Sequence, residues 1–192
     1  MRRAPRVMPL TDEEMTEEQH ELTKHYRRDG VLPNIFRVAL RNTKMFKAYK
    51  PFGLYTMALS SVPPRIREIA ILRVAYNSKS DYEWGHHVRL GRDEGGLSVE
   101  EIMRIKQGPD AAGWGEVEAA VIRMVDQMRA TNDLDDETYA IVMDAMGEDA
   151  FVELLNTIGN YAMVSSLLNI FGVPLEEGVP TIDTPICEQA LN

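Results

Sequence analysis

The sequence predicts an all-α fold, a single-domain bundle of about eight helices, and three observations support this prediction. Hydrophobic residues make up 44% of the 192 positions but aromatic residues only 7%, a balance that favours helices over sheets. Apolar residues recur at helical spacing through most of the chain. No run of alternating polar and apolar residues is long enough to predict a strand.

Capping residues, prolines and glycines place the helix boundaries. Thr11 and Glu14 form a capping-box pattern that predicts a polar helix from there to about Arg28. The final predicted helix is apolar nearly all round, which predicts burial in the core or in a subunit interface. The other helices are predicted to cover approximately residues 34–50, 65–77, 80–94, 99–107, 115–130 and 135–146, and the final one residues 148–171.

Composition argues against several classes of function. The net charge is -9, and a chain without an extended basic cluster is a poor nucleic-acid binder. No apolar stretch is long enough and free enough of charge to span a membrane, so we expect no membrane partner. The lone cysteine, Cys187, cannot form an internal disulfide, a CxxC pair or a cysteine zinc site. A reducing cytoplasm is the expected location, since the basic residues near the start precede no signal-type apolar segment.

The chemistry-bearing part of the sequence is the short run SDYEWGHH at residues 80–87. In a helix, Glu83 and His87 lie one turn apart on the same face. Glu68 belongs to the preceding predicted helix. A carboxylate and an imidazole in this relation can share a proton, which is the minimum requirement for general acid–base chemistry. The sequence does not decide which of the two glutamates pairs with the histidine.

Structural interpretations of the same residues stay open. Glu83 and His87 also fit an ion pair that only stabilises a bundle. Tyr82 fits either a hydrogen-bonded core position or a proton relay, and Trp84 fits the core or the wall of a pocket. Arg67, like its neighbour Arg65, is most simply interpreted as a solvated charge near a helix start.

A metal site is the next alternative. Glu68 and Glu83 could be grouped with the two adjacent histidines as a carboxylate–histidine cluster. His86 and His87 diverge by about 100° on a helix, however, unlike the i,i+4 pair of a zinc enzyme. We therefore expect no metal, and we interpret His86 as a helix–helix or interface contact.

Four segments together resemble the carboxymuconolactone decarboxylase family, whose fold is that of alkyl hydroperoxide reductase D. They are REIAIL at 67–72, YEWGHH at 82–87, GGLSVEEI at 95–102 and LLNIFGVPL at 167–175. The resemblance extends from about Pro33 to Glu177. It implies a domain over residues 31–177, preceded by an extension with a polar helix at 1–30 and followed by a tail at 178–192.

The peroxidase branch of this family carries a glutamate one helix before a Cys-x-Tyr-Cys-x-x-x-His motif. In this chain Glu68, Tyr82 and His87 match the glutamate, tyrosine and histidine. Ser80 and Glu83 occupy the two cysteine positions, so neither thiol is present and thiol peroxidase activity is not expected. The resemblance still implies the family's site with a proton relay, formed here by Glu68, Tyr82, Glu83 and His87.

The decarboxylase branch needs no metal or organic cofactor and releases CO2 from a lactone acid. The resemblance therefore implies a cofactor-independent acid–base enzyme for a small carboxylate or lactone, with His87 as the acid or base. Arg73 or Arg89 could hold a substrate carboxylate, with Trp84 and His86 lining the site. The alternatives are a peroxidase-related antioxidant protein and a non-catalytic helical oligomer. Family members form dimers, trimers and hexamers, so a homo-oligomer is expected.

Overall fold

Eight α-helices build residues 4–186, which are the residues that a computed structural model of the chain describes. Within those residues there is one isolated bridge, between Arg28 and Val31, and no strand, so the predicted all-α class is confirmed. The helices are α1 (Glu17–Thr23), α2 (Asn34–Ala39), α3 (Thr43–Leu54), α4 (Pro64–Asn77), α5 (Asp81–Asp93), α6 (Val99–Ile105), α7 (Glu116–Thr131) and α8 (Asp136–Phe171), with a π-helical turn at Tyr55–Leu59.

Helix α4 is the centre of the fold and packs against α5, α7 and α8. Pro64 occupies the first position of this helix, where a missing N–H costs nothing. The side chains of the middle of α4 are buried on every side, which is why its apolar residues show little amphipathic pattern. They are Ile69, Ala70, Ile71, Leu72, Val74 and Ala75, all with no solvent-exposed surface.

Helix α5 returns antiparallel to α4 after a short connection, which brings the end of one helix opposite the start of the other. Lys79 in this connection has a φ of 52°, in the left-handed region. Gly91 lets the two helices approach closely, since a Cβ there would lie 3.2 Å from side-chain atoms of Leu72 and Leu97. This close packing places the His87 side of α5 against Glu68.

The start predicted for the first helix is wrong. Thr11 and Glu14 do exchange the two capping-box hydrogen bonds, but these close only a turn. Helix α1 begins later, where Thr16 and Gln19 form a second capping box. The reason is tertiary, because the turn between the two boxes directs Met15 into a small buried cluster with other N-terminal apolar residues.

Helix α8 is interrupted at Gly147, where φ is 76° and only glycine is comfortable. The interruption coincides with the boundary predicted between the last two helices. The second segment, 148–171, buries one face in the core, including Leu154 and Ile158. Its opposite face remains exposed within one chain, so burial on all sides is not reached by the fold alone.

The segment after α8 crosses the first turns of α5. A Cβ on Gly85 would lie 2.3 Å from the backbone oxygen of Pro180, so glycine is required there. The backbone N–H of Ile182 donates to Asp81 at 3.0 Å. Cys187 lies outside the described residues. None of the helices in the described part of the chain has the length and apolar character needed to cross a bilayer.

Candidate active site

An imidazole between two buried carboxylates forms the centre of the candidate site. His87 donates from Nδ1 to Oε2 of Glu68 at 2.7 Å. Its other nitrogen, Nε2, lies 3.4 Å from Oε2 of Glu83, one turn earlier on α5. All three side chains are at most 6% exposed. Both glutamates that the sequence left as possible partners therefore contact the histidine, on opposite sides of its ring, and we call these residues the Glu68–His87–Glu83 triad.

Arg67 completes the charge balance of the triad. Its Nε donates to Oε1 of Glu68 at 3.0 Å, and its Nη2 donates to Oε2 of Glu94 at 2.7 Å. The arginine side chain is only 5% exposed, so its interpretation as a solvated charge is wrong. The correction has a physical reason: a buried Glu68 carboxylate needs a buried cation, and the neighbouring residue on α4 supplies it.

Electrostatics favour a proton on this histidine. Burial by itself lowers the pKa of His87, but the charge of Glu68, its hydrogen bond and the charge of Glu83 together raise that pKa above 6.5. Burial raises the pKa of Glu83 above 4.5, opposed by the charge of His87. A histidine that keeps its proton and a carboxyl group that binds one readily are a suitable pair for proton transfer.

Helix α8 and the segment 43–59 supply the surroundings of the triad. The Tyr161 ring meets the His87 ring edge to face, with 4.9 Å between centroids, and its hydroxyl donates to the sulfur of Met57 at 3.1 Å. Nearby on the same helix, Asn160 accepts from Tyr49 at 2.9 Å. Burial, followed by the charges of the two glutamates, raises the pKa of Tyr161 well above 10, so its hydroxyl is a donor at neutral pH. Sequence reasoning did not find these residues.

Tyr82 and His86 belong to a second polar cluster on another side of α5. The Tyr82 hydroxyl donates to Oε1 of Glu176 at 2.8 Å and accepts from the backbone N–H of Ile35 at 3.0 Å. His86 Nε2 lies 2.8 Å from Oε2 of the same glutamate. Glu176 also accepts the backbone N–H of Asn34 at 2.7 Å, so this cluster ties the segment after α8 to α2 and α5.

The remaining residues predicted to bind substrate lie apart from the triad. Arg73 forms two 2.7 Å hydrogen bonds with Asp126 of α7. Arg89 is about half exposed and faces Asp93 one turn later. Trp84 is fully buried in the core, where the ammonium of Lys106 lies 4.9 Å from its ring centroid. The structure thus brings together three of the predicted residues, Glu68, Glu83 and His87, while the other five lie outside the triad.

The triad is not arranged like a metal site. Its two glutamates contact opposite nitrogens of His87, so the three side chains do not converge on one point. Over residues 4–186, no group of three or more His, Cys, Asp or Glu side chains is placed to hold a metal ion. Two open depressions, of about 620 and 530 Å³, lie elsewhere, beside α1 and at the junction of α7 with α8. Neither depression is lined by a residue of the triad.

Comparison with known proteins links part of the chain to one protein family. Residues 43–127 match the model of the carboxymuconolactone decarboxylase family. The match spans 85 of the 192 residues, and over that segment the predicted resemblance to this family is confirmed. The matched decarboxylase-family segment begins with α3, ends within α7 and contains the whole triad. No curated protein matches the chain in sequence.

Solved structures show the same fold at low sequence identity. The core of an alkylhydroperoxidase D, a peroxidase-related protein from Ralstonia eutropha JMP134, has a TM-score of 0.75 at 12% identity, covering 90% of this chain and 93% of its own. A debrominase in complex with 2,3,4-tribromopyrrole has a TM-score of 0.72 at 15% identity, with 89% and 91% covered. A peroxidase-related protein from Silicibacter sp. TM1040 has a TM-score of 0.68 at 17% identity, with 91% of each chain covered. The predicted helical fold is confirmed.

Proposed function

We propose that the chain is a cofactor-independent acid–base enzyme that acts on a small carboxylate or lactone, with His87 transferring the proton. The observation that carries the proposal is the buried triad, in which one imidazole contacts a carboxylate through each nitrogen. A purely structural ion pair needs one carboxylate. The second carboxylate, Glu83, is buried and, among the described residues, has no cation in contact with it other than His87. Burying this charge lowers stability, and such a group is most useful where protons are transferred.

In decarboxylation of a lactone acid, the bond from the ring carbon to the carboxylate breaks and CO2 leaves. The electron pair of that bond forms an enolate, which takes a proton at carbon. In this proposal Glu68 holds the Nδ1 proton, so Nε2 of His87 donates the proton that the enolate carbon takes up. After turnover Glu83, whose pKa is raised by burial, takes a proton from solvent water and passes it to Nε2, which restores the starting state.

Tyr161 is the proposed donor to the developing enolate oxygen. Its hydroxyl bonds only a thioether sulfur, a weak acceptor, so redirecting it to a substrate oxygen costs little. A preorganised neutral donor in a buried site stabilises an oxyanion effectively. The guanidinium groups of Arg73 and Arg89 are not used in this scheme, because one is held by Asp126 and the other lies on the surface.

A thiol peroxidase function receives no support from the residues themselves. The fold is shared with peroxidase-related proteins, but Ser80 and Glu83 stand at both thiol positions of that motif. Neither side chain can form a disulfide or a sulfenic acid. The proposal also includes assembly into a homo-oligomer, which the exposed face of α8 favours.

A substrate panel tests the proposed activity. The protein is incubated with 4-carboxymuconolactone and other small lactone and 3-keto acids, and CO2 release is followed together with deuterium incorporation at the product carbon in D2O. We expect turnover that falls by at least about 100-fold in His87→Asn, because general acid–base catalysis is lost. His25→Asn changes a histidine outside the site and serves as the matched control. Undiminished turnover in folded His87→Asn, or a wild type inert toward the whole panel, would refute the proposal.

A further inference from the structure

The ionised form of Glu83 depends on charges beyond its own contacts. In the described part of the chain, His87 at 3.4 Å is the one cation that the Glu83 carboxylate contacts, and no group donates a hydrogen bond to this carboxylate. Burial destabilises the ionised form and raises the pKa of Glu83 above 4.5. The proton transfers proposed for Glu83 require both its protonated and its ionised forms, so a second positive charge nearby would change how readily it gives up a proton.

His86 is placed to supply that second charge. It follows Glu83 by three positions on α5, and side chains three apart on a helix are neighbours, with about 5–6 Å between their Cβ atoms. A charge at such a distance acts strongly on a buried group, because the protein interior screens it less than water does. In agreement, the charge of His86 lowers the pKa of Glu83, second only to the charge of His87 among the groups that lower it.

The imidazole of His86 is fixed by Glu176, in the segment after α8. Nε2 of His86 lies 2.8 Å from Oε2 of Glu176, and the Tyr82 ring packs against the imidazole with 4.6 Å between centroids. The other oxygen of Glu176 is fixed in turn, because it accepts the Tyr82 hydroxyl and the backbone N–H of Asn34. The side chains of His86 and Glu176 are 24% and 21% exposed, so this pair reaches the solvent whereas Glu83 is buried.

The other titratable groups around Glu83 come from several helices and do not provide such a charge. Glu68 of α4 is an anion, and its charge raises the pKa of Glu83. Burial is the main cause that raises the pKa of all three tyrosines on which the charge of Glu83 acts, so they are neutral near pH 7; they are Tyr49, Tyr82 and Tyr161. Among the described groups that act on Glu83, His86 is therefore the one, besides His87, that can carry a positive charge.

We propose that His86 is a positioning residue for the acid–base site, whose positive charge, held in place by Glu176, stabilises the ionised form of Glu83. This inference rests on the proposed function, because it assigns the residue that regulates one of the two proton carriers. Glu83 becomes ionised when it passes its proton to Nε2 of His87, and the charge of His86 favours that transfer. Without this charge the proton stays longer on Glu83, and the imidazolium of His87 is restored more slowly.

A carboxyl titration of Glu83 tests the inference without any substrate. The full-length chain is labelled with 13C at the glutamate carboxyl carbons, the Glu83 resonance is assigned with Glu83→Gln, and its shift is followed by NMR from pH 4 to 9. His86→Gln keeps a donor for Glu176 but removes the charge, so we expect the pKa of Glu83 to rise by about 0.5–1 unit. His86→Lys restores a positive charge and should return this pKa toward that of the wild type. His25→Gln removes an exposed histidine outside the site and is the matched control.

The outcomes of the titration separate a charge effect from a tether. A rise in the pKa of Glu83 in His86→Gln that His86→Lys reverses supports the proposal. A titration of Glu83 that is unchanged in His86→Gln, or is shifted equally in both variants, would overturn it and leave His86 as a tether for the segment after α8. A wild type inert toward the substrate panel would overturn the proposed function alone, because the titration needs no turnover.

Turnover provides the second readout once a substrate is found. At pH 7 we expect turnover of His86→Gln to fall by up to about 10-fold, the factor that corresponds to one pKa unit, and to recover in His86→Lys. Undiminished turnover in a His86→Gln variant whose Glu83 pKa is raised would overturn the role of His86 in restoring the proton of His87.

Discussion

Replacing Glu68 with glutamine tests the arrangement of buried charges most sharply. The variant keeps the shape of the side chain and an acceptor for Arg67, but it removes the negative charge that both Arg67 and His87 face. Breaking a buried ion pair by removing one partner costs about 3–5 kcal/mol, and the retained carbonyl recovers part of this. We therefore expect Glu68→Gln to lower the free energy of unfolding by about 3 kcal/mol. Glu94→Gln, which changes the half-exposed partner of the same arginine, is expected to cost less than about 1 kcal/mol.

The pH dependence of this cost follows from His87. Its pKa is raised in the folded protein, so its contribution to stability is fully present below the unfolded value of 6.5 and is lost as the pH rises through the folded value. Among the groups that raise the pKa of His87, the charge of Glu68 has the largest effect. The difference in stability between the wild type and Glu68→Gln should therefore be largest below pH 6.5 and should narrow at higher pH.

Urea denaturation of the wild type, Glu68→Gln and Glu94→Gln at several pH values between 5.5 and 9 measures both effects. A cost for Glu68→Gln no greater than that for Glu94→Gln would refute the buried ion-pair argument. A cost that stays constant over this pH range would refute the assignment of the linked proton to His87.

Two further substitutions concern the second polar cluster and the segment after α8. Tyr82→Phe removes the hydroxyl that bonds Glu176 and Ile35, so urea denaturation should show a free energy of unfolding lower by about 1–3 kcal/mol. Turnover should stay near that of the wild type. A loss of activity would instead assign Tyr82 to the proton relay. Gly85→Ala drives a Cβ against Pro180 and should displace the segment after residue 175, seen as faster limited proteolysis there and about 1–3 kcal/mol lower stability. Proteolysis unchanged from the wild type would contradict the packing of that segment.

Local signals explain why most of the fold was predictable. Pro64 starts α4, and a capping box formed by Ser98 and Glu101 starts α6. Gly147 ends a helix where the sequence indicates a boundary, because its positive φ is a local property of glycine. The first helix was misplaced because two capping boxes follow one another, and only tertiary burial of Met15 selects the second.

The central residues of the candidate site were predictable for the same reason. Glu83 and His87 are one helical turn apart, and Glu68 faces them because a short connection makes α4 and α5 antiparallel neighbours. The prediction that Arg67 is a solvated charge was wrong because its burial depends on the packing of α4 against α5. The spacing of residues in the sequence did not predict Tyr161 as part of the site, because it approaches His87 from a helix more than 70 positions further along the chain.

Arg73 shows the limit of assigning a role from charge alone. As a cation on the same helix as Glu68 it is a reasonable candidate to hold a substrate carboxylate. Its actual partner is Asp126, 53 residues later, and that pairing is created only when α4 packs on α7. Long-range ion pairs of this kind have no spacing signature in a single sequence.

The protonation state of His87 shows most directly whether the triad holds a transferable proton. The full chain is labelled with 15N-histidine, the His87 resonances are assigned with His87→Asn, and both ring nitrogens are followed by NMR from pH 5 to 9. We expect an imidazolium that titrates above pH 6.5 and whose pKa falls in Glu68→Gln. A His87 that is already neutral below pH 6.5, or whose titration ignores Glu68→Gln, would contradict this expectation.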